Sequence, residues 1–175
     1  LDIEPTDCWA QHAMAHVLEM QARQEEAIGF MEDRAEHWAQ DDNGFSFHNW
    51  WHTALYHLDQ GNTGRALEIH DQGVRPEPLD IQMTMLDSAA LLWRLHLNRM
   101  DVGNRWDELA ETYENDGEDG FYSFNDMHAM MAYSATGRGA AAAKLLKAVA
   151  ARARGDGTSA MIAREVGLPI VGAIE

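Results

Sequence analysis

Apolar and polar positions along this chain recur at the three-and-four spacing of amphipathic helices, and no segment keeps the strict alternation of a half-buried strand. Small or turn-forming residues interrupt the pattern at regular intervals. The resulting segments predict four helical pairs: Thr6–Gln21 with Gln24–Trp38, Phe47–Asp59 with Thr63–Val74, Ile81–Asn98 with Asn104–Glu114, and Ser123–Ala135 with Ala140–Ala153. Asp42-Asn43-Gly44 reads as a turn and ENDGEDG as an acidic loop. RPEPLD reads as a breaker, because two prolines and the residues before them leave helical geometry. GDGTSAMIAREVGLP predicts a further short helix.

The pairs repeat. When the chain is slid along itself so that Gly44 falls on Gly120, Phe45 meets Phe121, Asn49 meets Asn125, His52 meets His128, Gly61 meets Gly137 and Ala66 meets Ala142. Half that shift links the turns at Ala22, at Gly61, near Arg99 and at Gly137. Five residues after three of these turns stands an alanine: Ala27, Ala66 and Ala142. Pro78 follows the second of them. A small residue where two antiparallel helices approach, followed by a closing proline, resembles the second half of the tetratricopeptide-repeat signature. The third pair carries about four extra residues at NRMDVG relative to that spacing. The expected fold is all-α: an α-α superhelix (solenoid) of four tetratricopeptide-like hairpins plus a short C-terminal helix, forming one repeat domain over residues 1–175.

Charge narrows the partners. With 29 acidic and 13 basic residues the formal net charge is -16, which opposes nucleic acid and anionic membrane surfaces. There is no apolar run long enough to span a bilayer. Cys8 is the only cysteine, so internal disulfides and cysteine-based metal sites are excluded, and a reducing, cytoplasmic setting is expected. The chain begins at Leu1 and ends in GLPIVGAIE, as expected of a portion of a longer chain. Uncapped repeat ends would then favour homo-oligomers.

The candidate chemistry lies on the first helix of each pair, the helix that lines the concave face of such arrays. His12 and His16 stand ten and six places before Ala22, and His48, Asn49 and His52 stand thirteen, twelve and nine before Gly61. Asp87 stands twelve before Arg99, while Asn125 and His128 stand twelve and nine before Gly137. Steps of three and four place these residues in one stripe per helix. The stripe predicts a groove for a peptide, protein or small-molecule ligand. Partly charged histidines would grip a carboxylate more tightly as pH falls from about 7.5 to 6.

Histidines on half-buried helix faces also serve as packing residues, and matched asparagines can bond neighbouring backbone. A metal site is the alternative, since HAMAH and HNWWH are both His-x3-His pairs able to chelate a zinc-type ion from one helix. Neither contains the glutamate of H-E-x-x-H, and the pattern assigns no residue to a resident metal or cofactor. Catalysis has little to stand on: no nucleophile elbow or phosphate loop is present, and Cys8 beside His12 is the sole thiol–imidazole pair. ENDGEDGFYSFND fails as a calcium loop, because aligning Gly120 with the invariant glycine puts Asn115 and Gly117 where acids are required.

HAMAHVLEMQ, FHNWWHTALYHLDQG, MLDSAALLWRL and FNDMHAMMAY, in that order and across nearly the whole chain, together resemble the tetratricopeptide repeat protein 38 family. The resemblance implies a fold rather than an activity. It also implies that His12, His16, His48, Asn49, His52, Asp87, Asn125, Asp126 and His128 belong to the family's recurring blocks. His96 and the turn over Asn98–Met100 depart from the pattern. The expectation is therefore a non-enzymatic binding or scaffold protein, with a metal-dependent or small-molecule-processing protein as the alternative.

Overall fold

The computed structural model describes residues 3–40, 44–117 and 119–175, and every regular element among them is helical. Asp42 and Asn43 of the turn expected between the first and second helical pairs lie outside the described residues. Two compact units emerge, one formed by Leu1–Glu77 with Arg94–Asp101 and the other by Pro78–Trp93 with Val102–Glu175. No helix among the described residues is long and apolar enough to cross a membrane.

In the first unit, α1 (Cys8–Met20) starts at Asp7, whose carboxylate accepts from the Trp9 and Ala10 amides at 3.1 and 3.0 Å. It packs on α2 (Gln24–Glu32), and the next long helix of the unit, α4 (Ser46–Asp59), packs on both. Ala15, Leu18, Ala27, Met31, Trp38 and Tyr56 form the core they share. The second helix expected over Gln24–Trp38 is interrupted: α2 stops at Glu32 and a single turn, α3 (Ala35–Trp38), follows. The physical reason is a side-chain cap. The buried Trp38 indole donates to the Met31 carbonyl at 3.1 Å, satisfying one of the last acceptors of α2.

The helix expected over Thr63–Val74 is α5 (Thr63–Ile69), which widens into a π-turn over His70–Val74, closed by the Arg75 amide on the His70 carbonyl at 2.8 Å. Gly73 lies flat against Trp50 there, and any Cβ would overlap the indole.

The second unit holds most of α6 (Gln82–Leu97), followed by α7 (Arg105–Asp116), α8 (Ser123–Thr136) and α9 (Gly139–Arg152). Met85, Leu92, Leu109, Met130, Tyr133 and Leu145 fill its interior. Beyond α9 the chain forms α10 (Thr158–Ile162), a π-turn over Ala163–Gly167 and α11 (Leu168–Ile174). The π-turn precedes Pro169, which lacks the amide that a regular ladder needs.

The turn spacing has a backbone cause. Ala22, Gly61, Arg99 and Gly137 all have positive φ, at 55, 78, 60 and 66°. At each, two amides fold back on the helix just ended. Ala22 and Arg23 donate to Glu19 and Leu18, Gly61 and Asn62 to Leu58 and His57. Arg99 and Met100 donate to His96 and Leu95, Gly137 and Arg138 to Ser134 and Tyr133. This is one left-handed C-terminal cap used four times. The alanines that follow three of them, Ala27, Ala66 and Ala142, are buried as the spacing requires.

Candidate functional site

Four of the expected residues meet because α1 packs on α4 and each carries two histidines one turn apart. His12 and His16 lie on α1, and His48 and His52 on α4. The four rings form a continuous cluster. Centroids are 4.4 Å apart for His12–His16, 5.0 Å for His12–His48, 4.9 Å for His12–His52, 4.5 Å for His16–His52 and 4.9 Å for His48–His52. His12 and His16 bring their Nε2 atoms to 2.9 Å. Aromatic rings wall one side: Trp9 stacks on Phe45 at 4.1 Å, Phe45 meets His12 edge-on at 4.8 Å, and Trp51 stacks on His48 at 5.3 Å.

Burial falls steeply across the cluster. The His52 side chain is 1 % exposed, His12 and His48 are half-buried, and the His16 side chain is 50 % exposed. Neither ring nitrogen of His52 makes a hydrogen bond to the described residues, nor does His12 Nδ1 or either amide atom of the fully buried Asn49. Buried polar groups left this way cost about 1–3 kcal/mol each, so their concentration in one place calls for a physical account.

Electrostatics keep the inner rings uncharged. Burial, followed by the neighbouring His16 and His48, pulls His12 down from 6.5 to about 4. Asn49 lies beside His12 and opposes part of that shift, although its amide does not reach hydrogen-bonding geometry on Nδ1. Burial, then His48, His16 and His12, pulls His52 down to about 2. Near neutral pH each ring is a neutral imidazole with one lone-pair nitrogen and need not release a proton to bind a cation.

One residue of the site escaped the sequence reading. Glu19, on the next turn of α1, brings Oε2 to 3.2 Å from His52 Nδ1 and 3.9 Å from His16 Nδ1. The approach to His52 is close in distance but falls outside hydrogen-bonding angles. Glu19 stands three places before Ala22, so the stripe of threes and fours extends to it. Buried Tyr56, two turns after His48, has its hydroxyl pushed to higher pKa by burial and by the Glu19 charge.

Two donor sets result. Ring nitrogens of His12, His48 and His52 lie within 4.8 Å of one another, and so do donor atoms of His16, Glu19 and His52. Donors about 2.0–2.1 Å from a tetrahedral zinc ion stand about 3.3–3.4 Å apart, so rotamer adjustments of about an ångström close either set.

The remaining expected residues belong to the second unit. Asp87 is buried on α6. Asn125 donates to Gln82 Oε1 at 2.8 Å, and Gln82 in turn donates to Asp116 at 2.7 Å. Buried Asp126 accepts the Gly120 amide at 2.7 Å. His128 donates from Nδ1 to the Phe124 carbonyl of its own helix at 2.7 Å and packs on the Phe124 ring at 4.6 Å. The shift that pairs His52 with His128 also puts Phe124 in the place of His48, so this unit repeats the packing without the second imidazole. No protein-family model matches the chain, and no solved structure matches it significantly.

Proposed function

We propose that this chain is a binding protein whose first unit holds one divalent transition-metal ion of the zinc type, ligated by His12, His48 and His52. The observation that carries the reading is His52: it lies 1 % exposed among three other imidazoles, with neither ring nitrogen hydrogen-bonded to the described residues. Burying a polar ring at that cost is accounted for when a cation takes its lone pair. Three imidazole nitrogen donors suit zinc, and imidazole also accepts copper, nickel or iron. Glu19 beside His52 Nδ1 supplies the carboxylate partner that metal-bound histidines commonly have.

The same histidines serve less well as a charged clamp for a carboxylate. Burial holds His12 and His52 neutral well below neutral pH, so mild acidification supplies no charge at either. The tetratricopeptide-like solenoid, and with it the likeness to the tetratricopeptide repeat protein 38 family, belongs to the same proposal. The four like caps at Ala22, Gly61, Arg99 and Gly137, evenly spaced along the chain, support it.

Elemental analysis of untagged protein, followed by calorimetric titration of chelator-stripped protein with zinc, tests the metal site. The expected result is one equivalent of zinc per chain, with binding lost in His48→Ala and His52→Ala. Wild-type protein that takes up no zinc, nickel or copper ends the reading.

A further inference from the structure

We propose that His16 and Glu19, with His52, form an outer seat that captures the cation from solvent and passes it inward to His12, His48 and His52. This rests on the metal reading above and assigns a loading route to that site. The two donor sets overlap at His52, and they differ in access. The outer set presents a half-exposed imidazole and a carboxylate exposed by about a third, at 50 and 36 %. The inner set joins His52, at 1 % exposure, to the half-buried His12 and His48, so its own donors are less open to solvent than His16.

Capture at the surface solves a desolvation problem. A divalent ion must shed water before it enters a half-apolar cluster walled by Trp9, Phe45 and Trp51, and doing so without replacement ligands is costly. His16 and the Glu19 carboxylate replace the first waters while the rest remain, and Glu19 neutralises part of the charge. The surrounding field helps, because a chain of net charge -16 attracts cations and raises their encounter rate.

The handover follows from one contact. Glu19 lies on the Nδ1 side of His16, while His16 Nε2 is 2.9 Å from His12 Nε2, so an ion captured beside Glu19 has only the width of one imidazole ring to cross before it meets the inner donor. The ion gains His12 and then His48 while it loses His16 and its last outer waters, and it moves from the Nδ1 side of His52, which faces Glu19, to Nε2. Because both seats need His52, they exclude each other, and the chain holds one ion.

A residue that acts only on the route alters uptake and release by the same factor and leaves affinity alone, whereas a ligand of the resting site alters affinity through release. Stopped-flow mixing of chelator-stripped, untagged full chain with zinc, read by tryptophan fluorescence, separates the two. For His16→Ala the expected outcome is that uptake and release both slow about tenfold while affinity stays within about threefold. His48→Ala, the comparison variant, loses affinity about a hundredfold or more through faster release. The proposal is overturned if His16→Ala behaves like His48→Ala, if it changes neither rate, or if wild type binds two ions at once. Absence of any zinc uptake by wild type ends the metal reading itself, an outcome distinct from normal uptake with unaltered His16→Ala rates.

Discussion

His52 turns its Nδ1 toward Glu19, 3.2 Å from Oε2, although the two residues sit on different helices and far apart in sequence. In this orientation Nε2 is the ring nitrogen left for a metal, and a small rotation lets the carboxylate accept an N–H on the other side. Loss of such a partner typically weakens metal binding about 10- to 100-fold. We expect that loss for Glu19→Ala and a smaller one for Glu19→Gln, whose amide oxygen still accepts the N–H. Competition against a chromophoric chelator measures it. Equal affinity in Glu19→Ala and wild type would show that the carboxylate plays no part in the resting site.

His52 itself gives a sharper test, because function and stability oppose each other there. In chelator-stripped protein the ring is buried with neither nitrogen hydrogen-bonded to the described residues, each carrying a penalty of about 1–3 kcal/mol. His52→Leu removes both and keeps similar bulk. We expect the variant to lose zinc and to be more stable than chelated wild type by about 1–2 kcal/mol in urea unfolding. Wild type should recover about 2.7 kcal/mol at free zinc a hundredfold above its dissociation constant, and the variant should not respond. A variant less stable than chelated wild type would show that the imidazole packs favourably without a metal.

Much of this arrangement is legible along the chain. The caps show as evenly spaced small residues, since left-handed backbone selects glycine and tolerates a few exceptions. The histidine pairs show because residues four apart share a helix face. Glu19 was missed because its value depends on where α4 settles against α1, which no local spacing reports. The break after Glu32 and the π-turn over His70–Val74 were missed for a like reason: they go with Trp38, which folds back on the helix before it, and with Trp50 on another helix, and only packing fixes either indole. Asn125 and His128 match Asn49 and His52 in sequence, yet they bond to Gln82 and to the Phe124 carbonyl. The replacement of one histidine by Phe124 is visible in the sequence, and it removes the second imidazole from α8.

Two of the four caps are filled by the wrong residue for their backbone. Ala22 and Arg99 hold φ of 55 and 60°, a region that costs a residue with a side chain about 1–2 kcal/mol. Both are exposed, so nothing is lost in packing. Ala22→Gly and Arg99→Gly should each stabilise by about 0.5–1 kcal/mol after the extra chain entropy of glycine is subtracted. Gly61→Ala and Gly137→Ala should each lose about 1 kcal/mol, although a Cβ meets nothing within 4 Å at either site. Chemical denaturation of the four variants checks the sign at each turn.

Asp126 ties the start of α8 to the loop before it, and it should make stability depend on pH. Its carboxylate is buried and accepts the Gly120 amide at 2.7 Å. Burial raises its pKa from 3.8 to about 6, against the opposing pull of that hydrogen bond and with a further push from Asp119. Between those two values the folded chain keeps a proton that the unfolded chain has released. Stability from this group is therefore full below about 4 and declines as pH rises through about 6. Asp126→Asn keeps an oxygen for the Gly120 amide and removes the charge. It should stabilise the protein by up to about 2–3 kcal/mol at pH 7, from roughly two pKa units at about 1.36 kcal/mol each, and by almost nothing at pH 4. Urea titrations of both proteins at the two pH values decide the matter. An equal loss at both would mean that the oxygen geometry, and not the buried charge, governs this position.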